Sequence, residues 1–194
     1  MVKYAFATLI ATTLSAAALA DPLDDATAAF KHGDFATALV LLQPLADAGD
    51  RAAQHNLGAY YADGHGDYAE AARWFCMAAD QGLPEAQYNL GLLYAHGWGM
   101  PKDYRQSAKW YRNAAEQGHA RAQLNLGAMY ANGQGVPRDY VEAHKWFDLA
   151  ASNFAALQSE SRDTAVHDRD LAARKMTPAQ VAQARELAKA WQPK

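Results

Sequence analysis

One cysteine, Cys76, stands in 194 residues, so no intramolecular disulfide braces this chain and its stability must come from packing. That thiol is either incidental or a contact between copies, and the sequence leaves both open. Beyond residue 20 no apolar run approaches the roughly 20 residues that a membrane helix needs. Basic charge is not in excess either: 18 Lys and Arg stand against 21 Asp and Glu. Phosphates reward a basic face, so nucleic acid is not an expected partner, and no polybasic patch marks a membrane surface. Seven histidines, His32, His55, His65, His96, His119, His144 and His167, include no pair at i+3 or i+4. The nearest thing to a ligand pair is His65 with Asp67, so neither a metal nor a cofactor is expected. There is no Ser/His/Asp set, no carboxylate pair at catalytic spacing and no candidate nucleophile, which argues against an enzyme. The Gly-x-Gly segments follow helical patterns and lack a third glycine, so they are turns and not dinucleotide cradles.

What is present begins with an export signal. Lys3 supplies a charged start, Tyr4 to Ala20 is uncharged, and Ala18-Leu19-Ala20 has the small-residue form of a cleavage site. This predicts a signal peptide over residues 1–20 and a periplasmic or secreted mature chain from Asp21, with no membrane span left after cleavage. No cysteine follows the cleavage site, which argues against a lipid anchor. Removing Lys3 leaves the mature chain mildly acidic.

Internal repetition dominates the rest. Ala53-Gln-His-Asn-Leu-Gly-Ala-Tyr-Tyr61, Ala86-Gln-Tyr-Asn-Leu-Gly-Leu-Leu-Tyr94 and Ala122-Gln-Leu-Asn-Leu-Gly-Ala-Met-Tyr130 superpose directly. Each is followed by a glycine pair (Gly64/Gly66, Gly97/Gly99, Gly133/Gly135), then Asp67-Tyr68, Asp103-Tyr104 or Asp139-Tyr140, then Trp74, Trp110 or Trp146, then an Ala-Ala pair. A fainter copy, with Asp34-Phe35, Ala38, Leu41, Leu45-Ala46 and Gly49, precedes them. The first full copy lacks the loop residues present later as Met100-Pro101-Lys102 and Val136-Pro137-Arg138.

Each unit reads as two helices. Ala86, Leu90, Leu93 and Tyr94 share one helical face; Gly97 suits a left-handed helix end; Asp103 suits an N-cap. Tyr104, Ser107, Ala108, Tyr111, Ala114 and Ala115 form a second stripe flanked by Trp110. Glycine inside a helix costs roughly 1 kcal/mol, so Gly58, Gly91 and Gly127 are expected to let neighbouring helix backbones approach. One helix pair cannot bury such faces alone, which predicts stacking of neighbours. A charged helix over about 159–175 and a helix after the Thr177-Pro178-Ala179-Gln180 capping box complete the chain. On the latter, Val181, Ala184, Leu187, Ala188 and Trp191 should form one face. The expected organisation is a signal peptide (1–20), a solenoid of one degenerate and three clear repeats (21–152) and a C-terminal helical cap (153–194).

The Ala-x-x-x-Leu-Gly-x-x-Tyr, Gly-x-Gly-x-Pro-x-Asp-Tyr, Trp and Ala-Ala pattern resembles the Sel-one-like repeat family, a branch of the tetratricopeptide superfamily, over about residues 33–152. The tail over about 169–191 is similar to a C-terminal segment found on bacterial members. The resemblance implies an all-α, right-handed solenoid of antiparallel helix pairs that acts as scaffold, adaptor or regulator. Exported members include signalling inhibitors, secretion and polysaccharide factors. A cysteine-rich subgroup has a disulfide in each repeat and is tied to β-lactam binding; a chain with one cysteine departs from it.

Positions that differ between copies are free to carry specificity: His55, Tyr88 and Leu124; Ala59, Leu92 and Ala128; Asp63, His96 and Asn132; and His65, Trp98 and Gln134 in the loops. The resemblance places first helices along a groove, so Tyr88, Leu92, His96 and Trp98 would form an aromatic anchor there. Trp98 either contacts a partner or folds over its own turn. Asn56, Asn89 and Asn125 either bond a bound peptide backbone or bond a neighbouring helix. The expected function is a non-catalytic cell-envelope scaffold binding a protein or peptide segment. An envelope glycan (peptidoglycan or exopolysaccharide) is the alternative ligand, and a weak hydrolase the remote one. Oligomeric state and partner identity stay open.

Overall fold

The protein, seen in a computed structural model, is described over residues 22–64, 66–155 and 158–194. The predicted signal peptide and His65 lie outside the described residues. Those residues form α1 (Pro22–Lys31), α2 (Phe35–Asp47), α3 (Arg51–Ala59), a π turn (Tyr60–Gly64), α4 (Tyr68–Asp80), α5 (Pro84–His96), α6 (Tyr104–Glu116), α7 (Ala120–Asn132), α8 (Tyr140–Asn153), α9 (Ser159–Ala173) and α10 (Pro178–Ala190), with no strand among them. The fold is an all-α repeat solenoid. No helix among the described residues is long and apolar enough to cross a membrane.

Each second helix starts at an aspartate. Asp67 accepts from the Glu70 amide, Asp103 from those of Arg105 and Gln106, and Asp139 from those of Val141 and Glu142. Such caps satisfy helix-end donors and are each worth about 1 kcal/mol. Gly97 and Gly133 end α5 and α7 in the left-handed conformation. In the first full copy, where the loop is shorter, α3 instead widens into the π turn. The aspartate amide still reaches back to the equivalent tyrosine carbonyl in all three: Asp67 to Tyr61, Asp103 to Tyr94 and Asp139 to Tyr130.

Between the helices, Leu57, Leu90 and Leu126 are fully buried, as are Ala78, Ala114 and Ala150. Trp74 and Trp146 are buried, whereas Trp110 is only partly so. The expectation for the helix-interior glycines needs correction. An added Cβ at Gly58, Gly91 or Gly127 would lie 2.6, 2.6 or 2.7 Å from the ring of Phe75, Tyr111 or Phe147 respectively. The close approach is therefore that of an aromatic ring on the partner helix, not of two backbones.

A polar ladder joins the repeats. Gln54, Gln87 and Gln123 are buried and donate to the carbonyls of Ala46, Ala79 and Ala115, at the end of the preceding helix. Their own side-chain carbonyls accept from Gln81, Gln117 and Asn153.

At the C-terminal end α9 lies against α8 and α7, held by Arg169 to Asp148 at 3.0 Å. The capping box Thr177–Gln180 is formed, with Pro178 in the first turn. α10 packs on α8, and the Lys194 amide and ammonium both reach Glu116 at the end of α6. Ala184 and Ala188 are buried there, while Leu187, expected on the same face, stays 40% exposed. It projects outward because α10 meets α8 mainly through its alanines.

Candidate functional site

The described residues carry three equivalent depressions along the first-helix face, each between one first helix and the helix in the next position. The first, about 260 Å³, has Ala59, Ala62 and Asp63 on one side and Asn89, Leu92 and Leu93 on the other, with Phe75, Tyr68 and Trp98 completing it. The second, about 420 Å³, repeats this one period on with Leu92, Ala95 and His96 against Asn125, Ala128 and Met129, and with Tyr111, Tyr104 and Gln134. The third, about 270 Å³, has Ala128, Ala131 and Asn132 facing Asp168, Leu171 and Ala172 of α9, with Phe147 and Tyr140. α9 thus stands where the first helix of a further repeat would stand. In each depression the aromatic that rests on the helix-interior glycine is one wall, and the tyrosine that opens the second helix is another.

A fourth hollow, about 510 Å³, lies near the N-terminal ends of the same helices, lined by His55, Glu85, Tyr88, Asn89, His119 and Arg121 among others. Tyr88 lines both this hollow and the second depression, with its ring stacked on His119 at 4.8 Å and tilted against Tyr111. Leu92 lines both the first and the second depression.

Of the residues singled out in the sequence, His55, Asp63, Tyr88, Asn89, Leu92, His96, Trp98, Asn125 and Asn132 all line one or more of these hollows. Asn56 does not; it donates to the Thr27 hydroxyl on α1. The other two asparagines also bond within the chain, Asn89 to His55 at 3.1 Å and Asn125 to the Tyr111 hydroxyl. All three therefore tie their helix to a neighbour. Trp98 folds back onto its own chain, stacked between His96 at 4.3 Å and Tyr68 at 5.2 Å, and stays 42% exposed. Phe75, Tyr111 and Phe147, with Tyr68, Tyr104 and Tyr140, were not singled out. Their sameness across copies points to packing, and nothing in the pattern shows that they also line open space.

Burial makes two histidines here harder to protonate. Burial pushes His55 below its ordinary value, against the opposing pull of Asn56 and Glu85. Its Nδ1 faces the Asn56 side-chain oxygen and its Nε2 the Asn89 amide nitrogen, which fits the Nδ1–H tautomer. Burial likewise lowers His119, whose Nδ1 accepts from the Ala122 amide as the N-cap of α7. A proton there would remove the cap and set a positive charge against the helix dipole. His144, buried at the junction of α8 with the tail, is lowered by burial too. The unfolded chain takes up these protons near its ordinary value of 6.5, whereas the folded chain resists them. Stability is therefore full above about pH 6.5 and is lost as pH falls below it. Urea midpoints should decline between pH 7.5 and 5.5, and His119→Asn, which keeps a capping side chain, should flatten the decline. An unchanged pH profile in that variant would show that His119 takes no part.

Cys76 is half-buried and free, and burial pushes its thiol up, which makes it a poor thiolate. Among the described residues no cluster of three or more His, Cys, Asp or Glu is placed to hold a metal.

Comparison with known proteins agrees with this geometry. The Sel1 repeat matches residues 51–83, 84–119 and 120–153. A crystal structure of a protective antigen present in uropathogenic Escherichia coli strains, displaying an SLR fold, superposes with a TM-score of 0.72 at 39% identity, covering 80% of this chain. This chain spans only 32% of that antigen's length. The Sel1 repeat protein from Oxalobacter formigenes superposes with a TM-score of 0.72 at 30% identity, over 88% of this chain and 68% of that one. No curated protein matches the chain. Repeats of this kind are generally protein-interaction scaffolds and typically non-catalytic. With three consecutive matches spanning just over half its length, each on a stacked helix pair, the chain belongs to the Sel1 repeat family.

Proposed function

We propose that this protein is an exported, non-catalytic scaffold of the bacterial cell envelope, whose first-helix face holds an extended segment of a partner protein. The observation that carries this is the row of three equivalent depressions, whose rims differ from copy to copy while their aromatic walls recur. Successive depressions lie one repeat apart on the same face, an arrangement that suits side chains of one extended segment. The export signal expected over residues 1–20 supports the envelope setting.

A photo-crosslinker placed at Leu92, compared with one at the exposed Val40, tests this in native envelope. The expected adduct at Leu92 is removed by protease and resists glycan hydrolases. Replacing Tyr88 and Leu92 together by Ala should reduce capture about tenfold, as loss of a buried anchor does, without loss of helicity. An adduct that resists protease and yields to glycan hydrolases, or equal capture from Val40, would overturn the proposal.

A further inference from the structure

The three depressions are alike in shape but not in charge. The second includes the chain's own Lys102, whose ammonium lies 4.5 Å over the Tyr104 ring. The third includes Lys175 beside Asp168, and Arg138 lies 6.0 Å from the Tyr140 ring. Among the described residues the first includes no cation. Its loop lacks the three residues that carry Lys102 and Arg138 in later copies, and among the described residues no Lys or Arg sits over Tyr68. Its rim carries Asp63 where the other two have His96 and Asn132. Asp63 belongs to the π turn, a geometry frequent at functional sites. Trp98, stacked on Tyr68, extends the aromatic wall with its exposed part.

We propose that the depression bounded by Asp63, Tyr68, Phe75 and Trp98 is the subsite for a basic side chain, lysine or arginine, of the bound segment. That side chain takes the place which Lys102 holds over Tyr104 one repeat later. Aromatic faces attract a cation through the ring quadrupole, with more effect where water is displaced, and Asp63 supplies the countercharge. The mild acidity of the whole chain favours a partner of this sign. About 260 Å³ accommodates one long side chain and not a folded element. This assignment rests on the first-helix face being a protein-binding face and names the chemistry of its occupant.

The test is a titration of the isotopically labelled protein with N-acetyl-lysine methylamide, followed through the Trp98 indole N–H. N-acetyl-norleucine methylamide serves as the uncharged control. The lysine probe should shift that resonance and bind about threefold more tightly than the control, with the preference reduced about threefold in Asp63→Asn and by added salt. Inserting Met-Pro-Lys between Gly66 and Asp67 restores the long loop and should place a resident cation over Tyr68, abolishing the response. Where that insertion loses helicity, Asp63→Asn decides. Equal binding of the two probes, shifts confined to another site, or an unaltered preference in Asp63→Asn would each overturn the subsite. Failure of crosslinking at Leu92 overturns the scaffold proposal instead. A segment crosslinked at Leu92 by a protein that does not distinguish the two probes overturns only the basic subsite.

Discussion

Replacing Gly135 by alanine is expected to destabilise the protein by about 3 kcal/mol and to lower its Tm by about 8 °C. The same change at Gly66 should cost only about 1 kcal/mol. Both glycines have left-handed backbone, φ +70 and +65, so both variants carry the strain of a Cβ in that region. They differ in what the Cβ meets. At Gly135 it would overlap the Tyr104 carbonyl at the start of α6, and at Gly99 the Tyr68 backbone at the start of α4. Neither backbone can move without disturbing a helix N-terminus. At Gly66 nothing described lies within 4 Å. The second glycine of each long loop therefore lies against the second helix of the preceding repeat, whereas the first copy has no such contact. Denaturant unfolding of Gly66→Ala, Gly99→Ala and Gly135→Ala measures this directly. Equal losses in all three would show that the loops do not interlock.

That distinction also marks what the sequence makes legible. Helix pairs, caps and stacking follow from three aligned copies, because residues that recur at fixed spacing can be assigned a shared structural duty. Asp103 and Gly97 take the positions that their chemistry suggests. The same logic finds the rims of the depressions, since Asp63, His96 and Asn132 differ at one equivalent position. It does not find their walls. Phe75, Tyr111 and Phe147 alternate between only two aromatics, so they read as core, and only coordinates reveal that one part of each ring rests on a glycine while another borders open space. His119 illustrates a different limit: its capping role depends on a local φ and ψ that no periodicity encodes. The path of α10 was the least legible element. A tail present in one copy has no internal comparison, and its alanine-rich contact with α8 leaves Leu187 outward.

The buried glutamines should be the most sensitive polar positions. Gln87→Met, close in length and wholly apolar, is expected to cost about 1–2 kcal/mol, the net worth of two hydrogen bonds. Hydrophobicity alone would favour the change, since Gln87 is only 5% exposed. Its amide, however, donates at 3.2 Å to the Ala79 carbonyl at the end of α4, one of the helix-end acceptors that lack an intrahelical donor. Its oxygen accepts at 2.8 Å from Gln117 at the end of α6. A thioether replaces neither bond, so the Ala79 carbonyl keeps only backbone donors such as the Gly82 amide at 2.9 Å, while Gln117 keeps only its 3.3 Å bond to Asn113. Gln87→Glu should be worse at neutral pH, because it brings a largely buried carboxylate towards that carbonyl. Such a carboxyl would have a raised pKa in the folded state, so its extra penalty relative to Gln87→Met should shrink as pH falls towards 5. Pairing Gln87→Met with Gln117→Ala should cost less than the two changes separately, since each removes the same bond. Strict additivity, or a neutral Gln87→Met, would mean that apolar stacking alone joins the repeats and that the ladder contributes nothing to their register.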